Sequence, residues 1–139
     1  MSVIVTDTGF APDDWTGGLV PLNDWPVKGP DMGLDLVPDT DPARLADLLS
    51  APLIRIAFPS FSDGRGFTLA ARLRRLGYRR RLRAAGHVIA DQYAMARRSG
   101  FDEVEIDTDL AARQPEDQWL ARADWQAHDY QTRLRAAAP

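Results

Sequence analysis

The sequence predicts a single α/β domain of four β/α units with parallel strands (33–139), preceded by an irregular or β-structured N-terminal arm (1–32). In the second region, short apolar segments rich in β-branched residues alternate with segments whose apolar residues recur at helical spacing. Strands that alternate with helices in this way pair in parallel through right-handed crossovers. A half-barrel and an open sheet both fit this pattern, and the sequence does not separate them.

The arm is rich in Gly, Pro and Asp, which favours irregular structure. Within it, residues 3–5 and 19–22 are apolar enough to form short strands. We expect Trp15 and Trp25 to anchor the arm on the main body of the domain.

The core segments follow in regular order. Its predicted strands are 34–37, 53–58, 81–84 and 103–107. Its predicted helices begin at Pro42, after the loop 59–66, at Val88 and at Pro115. Asp41 is a suitable N-cap for the first of these helices, and Gly100 is a suitable C-cap for the third. In the strand 81–84, alternation directs Leu82 inward and the arginines to the other face.

Composition excludes several kinds of chemistry. The chain has no cysteine, so it has no disulfide, thiol nucleophile or cysteine-ligated cluster. With His87 and His128 as its two histidines, the sequence predicts no metal site and identifies no cofactor. No apolar run approaches the roughly 20 residues of a membrane helix, and the N-terminus lacks the pattern of a secretory signal. We therefore expect a cytoplasmic protein that does not bind membranes.

The charged residues are segregated along the chain. The net charge is −3, yet residues 64–90 contain eight arginines and no acid. This stretch is either a solvated basic face or a surface for an anion or an acidic partner. The acidic net charge makes nucleic acid the less favoured partner.

The loop between the second core strand and its helix is the predicted binding site. Loops that follow the carboxyl ends of parallel strands gather on one edge, where α/β folds place their ligands. Serine hydroxyls, glycines that permit close approach or positive φ, the start of a helix and an arginine together make a cradle for a small oxyanion or phosphate group. The anion-binding candidates are Ser60, Ser62, Gly64, Arg65, Gly66 and Arg83.

The same edge carries candidates for proton transfer: Asp63, His87 and Asp91, with Gln92 in a supporting role. Each also has a structural interpretation, as a helix cap, a loop histidine or a surface salt bridge. The loop matches neither a Walker loop nor the dinucleotide-binding fingerprint, and no nucleophile elbow is present. The sequence therefore predicts no hydrolase and leaves open whether the protein is an enzyme.

An ordered set of short motifs resembles a known family. The motifs are Phe58-Pro59-x-Phe61-x-Asp63-Gly64-Arg65, Ala70-x-x-Leu73-Arg74, Gly77-Tyr78, Leu82-Arg83-Ala84-x-Gly86-x-Val88, Asp91-Gln92 and Gly100-Phe101-Asp102. Together they resemble an uncharacterised bacterial family labelled "oxidoreductase probably involved in sulfite reduction". The resemblance covers roughly residues 34–107.

This resemblance implies a role beside assimilatory sulfate and sulfite reduction, in company with a sulfite or nitrite reductase. The family's characteristic polar residues fall on Asp63, Arg65, Arg83, Asp91 and Gln92. The chain departs from the family pattern at three places. His87 stands where an acid is usual, Arg80-Arg81 where Gly-Glu is usual, and Thr68 where serine is usual. The two lost acids make the expected site more basic.

Two hypotheses follow. In the first, the protein is an accessory protein of sulfite reduction that docks on a sulfite or nitrite reductase, or on another sulfur-assimilation protein, and holds an anion at the carboxyl edge. In the second, it is an enzyme that acts on a phosphorylated or sulfur-oxyanion substrate with a bound or borrowed cofactor. A homodimer is also expected, because a half-barrel leaves one side of its sheet for a partner to cover.

Overall fold

The computed structural model describes residues 2–26 and 32–126, which form a mixed α/β fold on a seven-stranded sheet. The strand order is β2-β1-β7-β6-β5-β4-β3, and β3 to β7 are parallel whereas β1 is antiparallel to both of its neighbours. The strands are β1 (Ser2–Thr6), β2 (Gly9–Pro12), β3 (Leu19–Pro21), β4 (Gly33–Leu36), β5 (Leu53–Phe58), β6 (Arg81–Gly86) and β7 (Glu103–Asp107). The predicted α/β class and the core strands are confirmed.

The predicted set of four β/α units is not confirmed in that form. The arm contributes three strands, two at one edge of the sheet and one at the other, and is therefore part of the fold. The first crossover is a 3-10 helix, Pro42–Leu48, in which the Asp41 carboxylate caps the Ala43 N–H as expected.

The remaining helices are α1 (Arg65–Arg75), α2 (Tyr93–Ser99), α3 (Thr108–Arg113) and α4 (Glu116–Leu120), with short 3-10 turns at Leu22–Asp24 and Ala90–Gln92. The helix predicted from Val88 thus begins later, and Gly100 ends it with φ 116°, as predicted. The sequence interpretation missed α3, which the Asp107 carboxylate caps by accepting from Leu110 N–H. The predicted final helix ends early, and its part beyond residue 126 lies outside the described residues.

One face of the sheet carries the helices and an apolar core. Alternate residues of the central strands point to this side, including Ile54, Ile56 and Leu82. Leu69 and Leu73 of α1 pack against them, and no residue of this set is more than marginally exposed. We call this side the helix face.

The opposite side, which we call the strap face, carries charged residues instead. The arginines of β6 lie here as predicted, because their neighbours Leu82 and Ala84 point to the helix face. Arg83 pairs with Glu103 and Glu105 of the adjacent strand β7, and Arg55 of β5 pairs with Asp35 and Glu105. The result is a row of ion pairs across four neighbouring strands.

Residues 13–18, which we call the strap, join β2 to β3 and cross this charged face. Asp13 and Asp14 lie against Arg83 and Arg81 of the central strand β6. The seven steps from Pro12 to Leu19 reach at most roughly 25 Å. Six strand spacings of a flat sheet measure roughly 29 Å. The sheet therefore curves around the strap. The chain's own residues cover the face that a second copy was expected to cover, so that reason for a homodimer does not hold and the dimer stays a prediction.

Candidate functional site

The carboxyl edge of the parallel strands brings the loop 59–66 beside His87. The Phe58 carbonyl at the end of β5 accepts a hydrogen bond of 2.8 Å from His87 N–H. This approach requires Gly86, which has φ 118° and where a Cβ atom would lie 2.6 Å from the same carbonyl oxygen. The glycine between the two segments therefore fixes His87 at the base of the loop.

Gln92 holds the tip of this loop. Its side-chain Nε2 donates to the Phe61 carbonyl at 2.6 Å, while its Oε1 accepts from Ile89 N–H at 3.0 Å. The ring of Phe61 is 59% exposed although its backbone is tied down. The Gln92 side chain thus positions an aromatic ring at the rim without covering it.

Beside this ring lies a shallow cavity of about 330 Å³ at the carboxyl edge. It is lined by Phe61, His87, Ile89, Leu110, Arg113 and Gln114. Within residues 2–26 and 32–126, the side chains of His87 and Arg113 have no hydrogen-bond or ion-pair partner. The cavity therefore combines an exposed aromatic ring with two nitrogen-bearing side chains that remain available to a ligand.

The predicted anion cradle, in contrast, holds its own carboxylate. Asp63 accepts from the backbone N–H of Arg65 at 3.1 Å and from its guanidinium at 3.0 and 2.7 Å. These hydrogen bonds from Arg65 lower the pKa of Asp63 to about 2. The hydroxyls of Ser60 and Ser62 hydrogen-bond each other at 2.9 Å. An incoming anion would have to compete with Asp63 at the start of α1.

The two glycines of the cradle have different roles from those predicted. Neither Gly64 nor Gly66 has positive φ. Gly66 is required for packing, since a Cβ atom there would lie 2.5 Å from the ring of Phe58. At Gly64 a Cβ atom would meet a single neighbour at 4.0 Å, which is ordinary contact.

Arg83 does not join this rim, which corrects the expectation that it meets Arg65 there. Its side chain is fully buried on the strap face, whereas α1 packs on the helix face. Its Nε and Nη1 donate to Glu103 and Glu105. Its Nη2 lies 3.2 Å from Asp13 Oδ1 but forms no hydrogen bond with the described residues. The alternation of β6 explains the error, because a residue facing the middle of the sheet cannot also reach its edge.

Asp91 also lies away from Arg65 and Arg83. Its carboxylate accepts from Arg122 Nη2 at 2.7 Å, in a separate cavity of about 430 Å³ between α2 and the turn after α4. Both side chains are largely exposed. The structural interpretation as a surface salt bridge thus describes Asp91, and His87 is the proton-transfer candidate that faces the rim cavity.

Arg113 was missed by sequence reasoning. It ends α3, a helix of six residues that the sequence interpretation treated as part of a loop. The available signal was Asp107, which precedes Leu110 by three residues and is a good N-cap after a strand. Reading that cap would have placed Arg113 about one and a half turns along, on the edge that follows β7.

A comparison with protein families decides the kinship of the chain. The model of the family "Bacterial protein of unknown function (DUF934)" matches residues 33–139. The chain belongs to DUF934. The match begins at the first residue of β4, so the parallel strands β4 to β7 lie within the DUF934 match, while β1 to β3 and the strap lie outside it. No curated protein and no solved structure matches the chain.

Proposed function

We propose that this protein is a cytoplasmic accessory protein of assimilatory sulfite or sulfate reduction, which supports or docks on a sulfite or nitrite reductase and binds an anion at its carboxyl edge. The place in sulfur assimilation comes from the motif resemblance. The site comes from the geometry. We infer the ligand to be a small oxyanion or a phosphate group, as expected from the sequence, but with a revised set of residues.

The observation that carries the anion site is the pair His87 and Arg113 at the rim cavity. In the described part of the chain neither side chain is neutralised, whereas Arg65 is paired with Asp63. Guanidinium and imidazole N–H groups donate to sulfite, sulfate and phosphate oxygens, and Arg can do so with two parallel bonds. Phe61 and Leu110 add apolar walls that reduce competition from water.

Binding of anions to the purified protein tests the site. Sulfite, sulfate and inorganic phosphate are titrated separately while the melting temperature is followed, because a ligand that binds the folded state raises it. We expect Arg113→Ala to weaken binding about tenfold, the loss of roughly one charge-assisted hydrogen bond. Arg65→Ala serves as the matched control, since Asp63 already neutralises that guanidinium. No stabilisation by any of the three anions, or equal losses in both variants, would contradict this site.

Growth of a deletion strain tests the physiological role. A host lacking this protein should grow slowly with sulfate as the sulfur source and normally with cysteine. The wild-type chain should restore growth on sulfate, and Arg113→Ala should restore it only in part. Equal growth of the deletion strain on the two sulfur sources would refute the role in sulfur assimilation and leave the anion site as a separate question.

The alternative is an enzyme that acts on a sulfur-oxyanion or phosphorylated substrate with a bound or borrowed cofactor. His87 favours this alternative, because it is exposed beside Arg113 and imidazole exchanges protons near neutral pH. Asp63 does not favour it, since its lowered pKa makes it a poor proton donor or acceptor at neutral pH. Consumption of sulfite with reduced nicotinamide or flavin supplied, abolished by His87→Ala, would favour the enzyme over the accessory protein.

A further inference from the structure

Four exposed arginines cluster at the opposite end of the domain from the rim cavity. Arg72 and Arg75 lie in the last turns of α1, and Arg79 and Arg80 lie in the segment that leads into β6. Because α1 follows β5 and returns to the start of β6, this end is the amino edge of the parallel strands. We call this set, together with Leu76, the basic end.

These four arginines are what remains after the others of the same stretch have been used internally. Arg74 donates to Asp102 and to the carbonyls of Gly100 and Tyr78. Arg81 and Arg83 pair with acids of β7 and the strap. None of the four at the basic end has a carboxylate within ion-pair distance in the part of the chain that the structure describes. The arginine-rich stretch thus divides into an interior set and an exposed set.

The dipole of α1 accounts for only part of this cluster. Cations in the last turn of a helix are stabilised by its negative end, which explains Arg72 and Arg75. Arg79 and Arg80 follow the helix, and their Nη1 atoms donate only to the carbonyls of residues 74, 78 and 50. Their charges therefore remain directed at the solvent around the end of the helix.

An apolar residue stands among these charges. Leu76 is 45% exposed and borders a shallow cavity of about 490 Å³ between α1 and the first 3-10 helix. Its other walls are Pro42, Ala43, Ala46, Arg72 and Arg75. A small apolar centre surrounded by arginines is the composition of a protein-binding patch, because interfaces enrich Arg and exclude water from an apolar middle.

We propose that the basic end docks an acidic surface of another protein, with Leu76 against an apolar residue of that surface and the four arginines around it. The net charge of −3 opposes a polyanionic nucleic acid at long range. A local acidic patch matches the four arginines without that penalty. The proposal does not depend on the anion site, which lies at the other edge of the sheet.

Photo-crosslinking in the native host tests this surface. Leu76 is replaced by the photoreactive p-benzoylphenylalanine, and the adduct is identified by mass spectrometry. We expect one protein adduct whose crosslinked peptide lies among Asp and Glu residues. Met95, exposed on α2, is replaced in the same way as a positional control and should not give this adduct.

Charge reversal makes the result decisive. Arg72→Glu with Arg75→Glu should lower the adduct yield about tenfold, since each lost attraction becomes a repulsion across the interface. Arg98→Glu with Arg122→Glu changes the net charge equally at another surface and should leave the yield unchanged. Reversing the partner's acids to lysine should restore the adduct of the first variant. An adduct with RNA, an adduct with a second copy of this chain, a yield insensitive to Arg72 and Arg75, or no adduct would each overturn the proposal.

Discussion

The two faces of the sheet bury neighbouring residues of the same strand by different means. On β6, Leu82 enters the apolar helix face, while the adjacent Arg83 is equally buried on the strap face. Leucine needs only close packing, but the guanidinium needs Glu103, Glu105 and the strap aspartate Asp13 around it. Alternating apolar residues and arginines therefore do not by themselves indicate a solvent-exposed face.

Replacing Arg83 should have the largest effect on stability. Arg83→Ala leaves the carboxylates of Glu103 and Glu105 without this cation between them, and both side chains are mostly buried. We expect the free energy of unfolding to fall by about 4 kcal/mol, as for other ion pairs broken on one side. Urea denaturation measures the change, and Arg83→Lys should recover part of it by keeping the charge. A loss no greater than that of the exposed Arg72→Ala would show that the buried ion pairs contribute little.

Leu82→Ala provides the matched change on the helix face. Removing a fully buried leucine side chain should lower the free energy of unfolding by about 3 kcal/mol, through lost burial and the cavity that remains. Unlike an effect that depends on ion pairs, this loss should be nearly the same in low and in high salt. A strong dependence on salt would mean that Leu82 also contributes to the charged face.

The sequence predicts the helix face better than the strap face. Periodicity identified the core strands and α1, because local spacing decides which residues face an apolar core. It also directed Arg81 and Arg83 to the other side of β6. What it could not supply was the partner of Arg83. The partners Asp13 and Glu103 are 70 residues before and 20 residues after Arg83 in the chain, and only the folded path of the strap brings Asp13 to this face.

The same reason explains the mixed outcome at the candidate site. Placing the loop 59–66 and His87 on one edge follows from the topology of parallel strands, and the hydrogen bond between His87 and Phe58 bears out that proximity. The pairing of Asp63 with Arg65 depends on side-chain conformations inside the loop. The place of Arg113 depends on a short helix whose signal is a single cap. Topology was thus predictable from the sequence, and local side-chain competition was not.

Neutralising the strap should have a smaller effect than either core substitution. Asp13→Asn with Asp14→Asn removes the attraction to Arg83 and Arg81 but keeps the size of both side chains. Asp14 is 71% exposed, so solvent screens much of its interaction, and we expect a loss of about 1 kcal/mol. Urea denaturation at two salt concentrations measures it, and the loss should shrink as salt rises. An unchanged free energy of unfolding at low salt would mean that the strap is held by Trp15 and backbone contacts instead.

The smallest expected effect is the pH dependence of that same difference. Burial opposes ionisation of Asp13, but its hydrogen bond from Trp15 and the nearby Arg83 lower its pKa overall, and the hydrogen bond from Arg81 lowers the pKa of Asp14. A carboxyl whose folded pKa lies below its ordinary value of 3.8 stabilises the protein above that pH. The stabilisation disappears as the pH falls through the folded pKa. Urea midpoints measured from about pH 6 to about pH 2.5 should therefore bring the parent and the double Asn variant together, with a change of less than about 1 kcal/mol. The gap between the parent and Leu82→Ala should persist over the same range, and a strap difference that persisted equally would assign the strap's contribution to packing and not to charge.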